Sequence, residues 1–220
     1  MNNKIVRSLA LVAILCGASR SVSAAPISIS FLGEGKVGIV KIQSPSLGPL
    51  WTYAGELEWA SSGESFYSYC VDVNNWALYT QSVDVRPSPE LTVPGVFDAG
   101  GKAAWLVNTY APGIHSSGSG DDAAALQVAI WTALYDSGPT LNSGAFKLLW
   151  ASPDVWNKAN GYLSALFTGG PQLSTATWFD AQPGAGQDQM IPSPVPEPAS
   201  LLLLTTGLAW AGIRRRSSAS

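Results

Sequence analysis

The sequence predicts an α+β fold, with a β-rich N-terminal half, sandwich or barrel-like, and a helical C-terminal half of about three helices. Short apolar runs separated by turn residues fill the first half, and helically spaced apolar residues with capping signals fill the second. The chain has 220 residues, of which 46% are hydrophobic and 12% are charged. This composition excludes a disordered chain and is sufficient for a sizeable core.

The β-rich half contains apolar runs bounded by glycine, serine and asparagine turns, and each run has the length of a strand. A further short run before the C-terminal tail predicts a last strand. The predicted strands are 27–32, 37–42, 50–59, 66–73, 76–85 and 175–179.

The helical half predicts three helices. The first covers Gly101–Tyr110 and ends at Pro112-Gly113, which places His115 in a Gly/Ser loop. The second covers Ala123–Tyr135 after the N-capping residues Asp121 and Asp122. The third begins at Ser152-Pro153-Asp154 and runs toward Leu166.

The first 24 residues have the three parts of a secretory signal peptide. Lys4 and Arg7 precede an apolar run over Leu9–Ala18, and small residues follow at Val22–Ala24. We therefore expect export and cleavage by signal peptidase after Ala24.

The C-terminal tail is also tripartite, and it follows a Pro-rich linker at residues 182–194. Within residues 195–216, Pro196-Glu197-Pro198 precedes an uncharged run from Ala199 to Ile213, and Arg214, Arg215 and Arg216 follow. As a helix the run reaches about 22 Å, which is short for a bilayer core of about 30 Å. The tail resembles the PEP-CTERM sorting signal of Gram-negative bacteria.

That resemblance implies a transient inner-membrane anchor, processing by an exosortase and delivery to the cell surface or extracellular matrix. A permanent C-terminal membrane anchor is the alternative. The three arginines would hold this end in the cytoplasm in either case.

The predicted mature domain is acidic, with 6 basic and 14 acidic residues between Ala25 and Pro196. This balance disfavours a nucleic-acid partner. His115 is the only histidine, and no carboxylate or cysteine spacing indicates a metal site or a cofactor motif.

Two residues are unusual for their positions. Cys16 leaves with the signal peptide, so Cys70 is the lone cysteine of an exported domain. Gln127 lies in the apolar stripe of the second predicted helix, where a side-chain amide needs a partner or a chemical task. A buried, unreactive cysteine and a hydrogen-bonded core glutamine are one interpretation. For Cys70 alone, an intermolecular disulfide and a reactive thiolate are also open. An internal thioester, formed when the thiol displaces ammonia from the amide, accounts for both residues at once.

The residues around both positions resemble the Cys-Gln thioester domain of bacterial surface adhesins. The matching segments are Tyr69-Cys70-Val71-Asp72, Ala104-Trp105-Leu106 and Leu126–Trp131. The resemblance implies that residues 25–181 form such a domain and that Cys70 and Gln127 make the bond. It places Tyr69, Asp72, Ile130 and Trp131 around it.

The implied function is covalent attachment to a partner that carries an amine or a hydroxyl, by one reaction per molecule and hence not as an enzyme. Two other hypotheses stay open. The first is a non-covalent matrix protein that binds exopolysaccharide through tryptophans, and the second is a cysteine hydrolase that uses His115.

Overall fold

The computed structural model describes residues 25–182 and 184–193, which form an antiparallel, barrel-like sheet and three helices. The helices are α1 (Ala99–Ser117), α2 (Gly120–Tyr135) and α3 (Pro153–Phe167). The strands are β1 (Ile27–Gln43), β2 (Leu50–Ser61), β3 (Glu64–Cys70), β4 (Thr80–Pro87), β5 (Lys147–Trp150), β6 (Thr177–Ala181) and β7 (Gln189–Ile191). The α+β class is confirmed, and the helices follow the first four strands.

The long strand β1 closes the barrel. The strands lie in the order β2-β3-β7-β6-β4-β1, and β1 also pairs with β2, so six strands form a ring. Residues 27–30 pair with β4 along one edge of β1, and residues 30–42 pair with β2 along the other edge. Two register shifts between Phe31 and Val37 interrupt the pairing with β2. The glycines in this stretch therefore mark bulges, and the expected turn between two strands was wrong.

The C-terminal half contributes three strands to the sheet in addition to the three expected helices. The strand predicted at 175–179 is present as β6, two residues later, and β5 was not predicted. Part of the expected linker 182–194 is also folded, since Gln189–Ile191 form β7 between β3 and β6. A strand of three residues has too little sequence pattern to be recognised without its neighbours.

Helix α1 passes through Pro112 and ends at Ser117, so the expected end at Pro112-Gly113 was wrong. Tertiary contacts explain the extension. The Lys36 ammonium donates to the carbonyl oxygens of Ile114, at 2.6 Å, and His115, at 2.5 Å. The Ile114 carbonyl oxygen also accepts from the Gly118 N–H at 2.8 Å, and the His115 carbonyl lies in the last turn, where a helix leaves carbonyl groups without an intrahelical partner.

Helix α2 begins earlier than expected, and Ser119 is its N-cap in place of the aspartates. Ser119 and Asp122 form a capping box. Both aspartates instead tie α2 to α3, because Asp121 accepts from Ser152 at 3.0 Å and Asp122 pairs with Lys158 at 2.7 Å. Ser152 caps α3 as predicted.

The described residues bury two hydrophobic clusters. A small one fills the barrel around Trp59, with Ile29, Val83 and Phe179. The larger one lies between the helices and the outside of the sheet and contains Cys70 and Trp131. The end of β3 therefore meets the middle of α2 at the boundary between barrel and helices.

Candidate functional site

The structure brings Cys70 and Gln127 into direct contact. The Cys70 backbone N–H donates to Gln127 Oε1 at 2.9 Å, and Gln127 Nε2 donates to the Cys70 carbonyl oxygen at 2.7 Å. Cys70 is 3% exposed and Gln127 is 1% exposed. Both polar ends of the amide are thus used on one residue, which also satisfies Gln127 as a buried polar group.

The amide lies where the sheet leaves a gap. Pairing of β2 with β3 ends at Glu56 and Tyr69, one residue before Cys70. On the opposite side of β3, the Val71 N–H donates to the Asp188 carbonyl oxygen at 3.0 Å. Because successive backbone groups of a strand point to opposite sides, the Cys70 groups face the side that β2 has left. Gln127 therefore replaces the missing strand at this point.

The Cys70 thiol is almost completely buried. It donates to the Asp72 carbonyl oxygen at 3.1 Å. Burial raises the pKa of the Cys70 thiol far above its usual value, and contact with the Trp131 side chain offsets this only in part. Among the described residues, the Trp131 Nε1–H has no hydrogen-bond partner. It lies near enough to the sulfur to lower the thiol pKa, but outside the distance and angle of an ordinary hydrogen bond.

A pocket of about 200 Å³ gives access to the site. Cys70, Gln127 and Trp131 contribute to its lining, together with Glu34 and Trp76. A small molecule or a side chain can therefore approach the amide from outside, although the residue pair itself is buried.

The four expected neighbours have different positions. Trp131 lines the pocket, and Asp72 touches the thiol through its backbone oxygen. Tyr69 donates its hydroxyl to Glu56 at 3.3 Å, and Ile130 is fully buried in the helical core. Neither of these two lines the pocket.

Three residues from the last described segment also reach the site, although the sequence pattern predicts a linker there. Gln187 lines the pocket and donates to the Asn75 carbonyl oxygen at 2.6 Å. Gln189 is the register partner of Cys70. Asp188 accepts from the Ala181 N–H at 2.9 Å.

Asp188 is expected to make the stability of the folded protein depend on pH. Burial, followed by the nearby carboxylates of Asp180 and Asp72, raises the pKa of Asp188 from 3.8 to about 6. The folded state therefore binds more protons than the unfolded state between these values, and its stability falls as the pH rises through that window. Allowing for partial exposure, we expect a loss of about 1–2 kcal/mol.

Denaturant unfolding at a series of pH values measures this loss. Asp188→Asn cannot ionise and should reduce the decline between about pH 4 and pH 6, while the smaller contributions of Asp136 and Asp180, whose pKa values burial also raises, remain. An unchanged decline in this variant would assign the effect to another group.

His115 is on helix α1 and not in the expected loop. Its ring stacks on Tyr67, with centroids 3.9 Å apart, and its Nδ1 lies 3.3 Å from Glu56 Oε2. The Cys70 thiol donates to the Asp72 carbonyl oxygen, and the His115 ring contacts Glu56. Cys70 and His115 therefore do not form a hydrolase dyad in the structure. The hydrolase hypothesis therefore receives no support from the geometry.

Within residues 25–182 and 184–193, no group of three His, Cys, Asp or Glu side chains is arranged to hold a metal ion. No helix in this part of the chain combines the length and apolar character needed to cross a bilayer. The expected signal peptide, the sorting residues 196–198 and 214–216, and the apolar run 199–213 lie outside the described residues.

The described residues form an α+β barrel domain in which a buried Cys-Gln contact lies at a pocket. A family model for the PEP-CTERM protein-sorting motif matches residues 194–216. The chain thus carries this motif, which indicates an exported protein sorted by an exosortase to the cell surface or beyond. Comparisons with curated proteins and with solved structures gave no match.

Proposed function

We propose that this exported protein forms an internal thioester between Cys70 and Gln127 and uses it to attach covalently to a partner. The partner carries an amine or a hydroxyl. The observation that supports this proposal best is the pair of hydrogen bonds that holds the Gln127 amide against Cys70. The sorting motif supports the part of the proposal that concerns export.

The bond forms without a cofactor. The Cys70 sulfur attacks Cδ of Gln127, the C–N bond breaks, and the thiol proton leaves with the nitrogen as ammonia. The Cys70 N–H already donates to Oε1, so it can stabilise the negative charge that develops there. The raised pKa makes the thiol a weak nucleophile, but its fixed position beside Gln127 favours the attack. The reaction also occurs only once per molecule and does not need to be fast.

Burial then protects the product. Among the described residues, the pocket is the route by which water would reach a thioester at this position, since Cys70 and Gln127 are almost fully buried. When a nucleophile attacks the Gln127 carbonyl, sulfur leaves and takes the proton that the nucleophile loses. The unused Trp131 N–H can donate to the sulfur as its negative charge develops. This chemistry is acyl transfer without turnover, and the protein is therefore not an enzyme in the ordinary sense.

Incubation with methylamine tests the capture step. The wild-type protein should gain the mass of methylamine at Gln127 and expose one thiol, whereas Cys70→Ala should show neither change. Cys70→Ala is the matched control because it retains the backbone groups that bond Gln127. The absence of an adduct, together with a thiol that reacts fully once the protein is unfolded, would contradict the proposal.

Processing of the tail is a separate expectation. If an exosortase removes the arginine cluster, an epitope tag placed after Ser220 should be absent from the exported protein. Immunoblots of surface and membrane fractions measure this. Retention of the tag on protein at the surface would favour a permanent anchor.

A further inference from the structure

Five exposed or half-exposed residues form a strip on one face of three neighbouring strands, and one of them, Tyr53, also contributes to the lining of the pocket at Cys70 and Gln127. Ile39 and Lys41 lie on β1, Trp51 and Tyr53 on β2, and Trp150 on β5. Lys41 is the register partner of both tryptophans, and Ile39 is the register partner of Tyr53. The four apolar members are 49–58% exposed. Single exposed apolar side chains are ordinary, whereas a continuous group of them marks an interaction surface.

We propose that this aromatic strip binds an acidic polysaccharide, that is, a sugar chain that carries carboxylate groups. The Trp51 and Trp150 rings are 5.1 Å apart at their centroids, with a tilt of 58°. They present apolar ring faces that can contact the C–H faces of pyranose units. Tyr53 extends the same surface along β2, two residues from Trp51, by about 7 Å.

The positive charges at the strip indicate an acidic ligand. Lys36, Arg86 and Lys158 are bound to carbonyl or carboxylate oxygens, and Lys102 is buried. In the described part of the chain, Lys41 and Lys147 form no ion pair with a carboxylate. Lys41 belongs to the strip and lies between the tryptophans, and Lys147 lies on the neighbouring strand β5, where the Asp136 carboxylate is near enough to feel its charge.

The net negative charge of the domain does not prevent this binding. Residues 39–43, 50–53 and 147–150 contain no Asp or Glu. At physiological ionic strength, charges beyond about 8 Å are largely screened, so the local lysines dominate at the strip. Lys41 also lies 5.7 Å from the Trp51 ring, and it can therefore meet a carboxylate on a sugar stacked there.

Calorimetric titration of the exported protein with oligogalacturonate tests the proposal. We expect binding that weakens about tenfold in Trp51→Ala and in Trp150→Ala. Lys41→Gln should weaken binding to oligogalacturonate severalfold, but should not change binding to the same oligosaccharide with its carboxyl groups reduced to alcohols. Phe97→Ala is the control because Phe97 is 71% exposed and lies outside the strip.

Cys70→Ala should bind oligogalacturonate like the wild type, which separates this proposal from the thioester. Wild-type affinity in both tryptophan variants would overturn it, and so would the absence of any binding. A dimer in sedimentation that dissociates in Trp51→Ala would also overturn it, because the strip would then be covered by a second copy of the chain.

Discussion

In a Cys70→Ala background, which cannot form the thioester and keeps the Gln127 amide, replacing Gln127 by alanine is expected to lower the free energy of unfolding by about 3–5 kcal/mol. The substitution leaves the backbone N–H and C=O groups of residue 70 buried without their partner, and it opens a cavity beside α2. Leaving one such group unsatisfied costs about 1–3 kcal/mol. Chemical denaturation monitored by tryptophan fluorescence measures the change.

Gln127→Met separates the two contributions, because methionine retains most of the volume but neither polar atom. Gln127→Met should therefore restore the part of the free energy of unfolding that is lost to the cavity, but not the part that is lost with the hydrogen bonds. A loss below about 1 kcal/mol in both variants would mean that the amide does not hold β3 against α2.

Gly55→Ala is expected to destabilise the protein by more than about 3 kcal/mol or to prevent folding. Gly55 has a φ angle of +139°, and a Cβ atom at this position would lie 2.2 Å from the Lys36 carbonyl oxygen. The methyl group of Ala123 on α2 would be only 3.2 Å away. Both β1 and α2 would have to move, and Gly55 itself lines the pocket.

Gly161→Ala is the matched control. This glycine lies in the middle of α3, and a Cβ atom there would meet nothing within 4 Å. Alanine should therefore raise the stability by about 0.5–1 kcal/mol. If Gly55→Ala unfolds at the same denaturant concentration as Gly161→Ala, the close approach of the two strands and α2 is not as tight as described.

Local sequence pattern predicted the elements that carry strong local signals. The cap and first-turn proline at Ser152-Pro153 start α3 as expected, and the apolar runs of β1 and β2 are strands. Local pattern predicted the wrong element boundaries where contacts between residues distant in sequence determine the structure. Helix α1 continues past Pro112 because Lys36, far away in sequence, binds its last carbonyl groups.

The same difference between local signals and distant contacts applies to the candidate site. Cys70 and Gln127 could be chosen from the sequence, because a lone exported cysteine and an amide in an apolar stripe are each conspicuous. The gap in the sheet that Gln127 fills could not be predicted, since it depends on where β2 leaves β3. The contribution of Gln187 and Asp188 was hidden for a related reason, because β7 is defined by its neighbours and not by its own pattern.

The intact mass of the exported, processed protein tests the central claim most directly. If the thioester forms, the mass will be lower than that of the processed sequence by one ammonia molecule. Cys70→Ala, which retains the hydrogen bonds to Gln127, will have its full sequence mass. A full sequence mass in the wild type, together with one thiol that can be alkylated after unfolding, would contradict the claim and leave Gln127 as a structural amide.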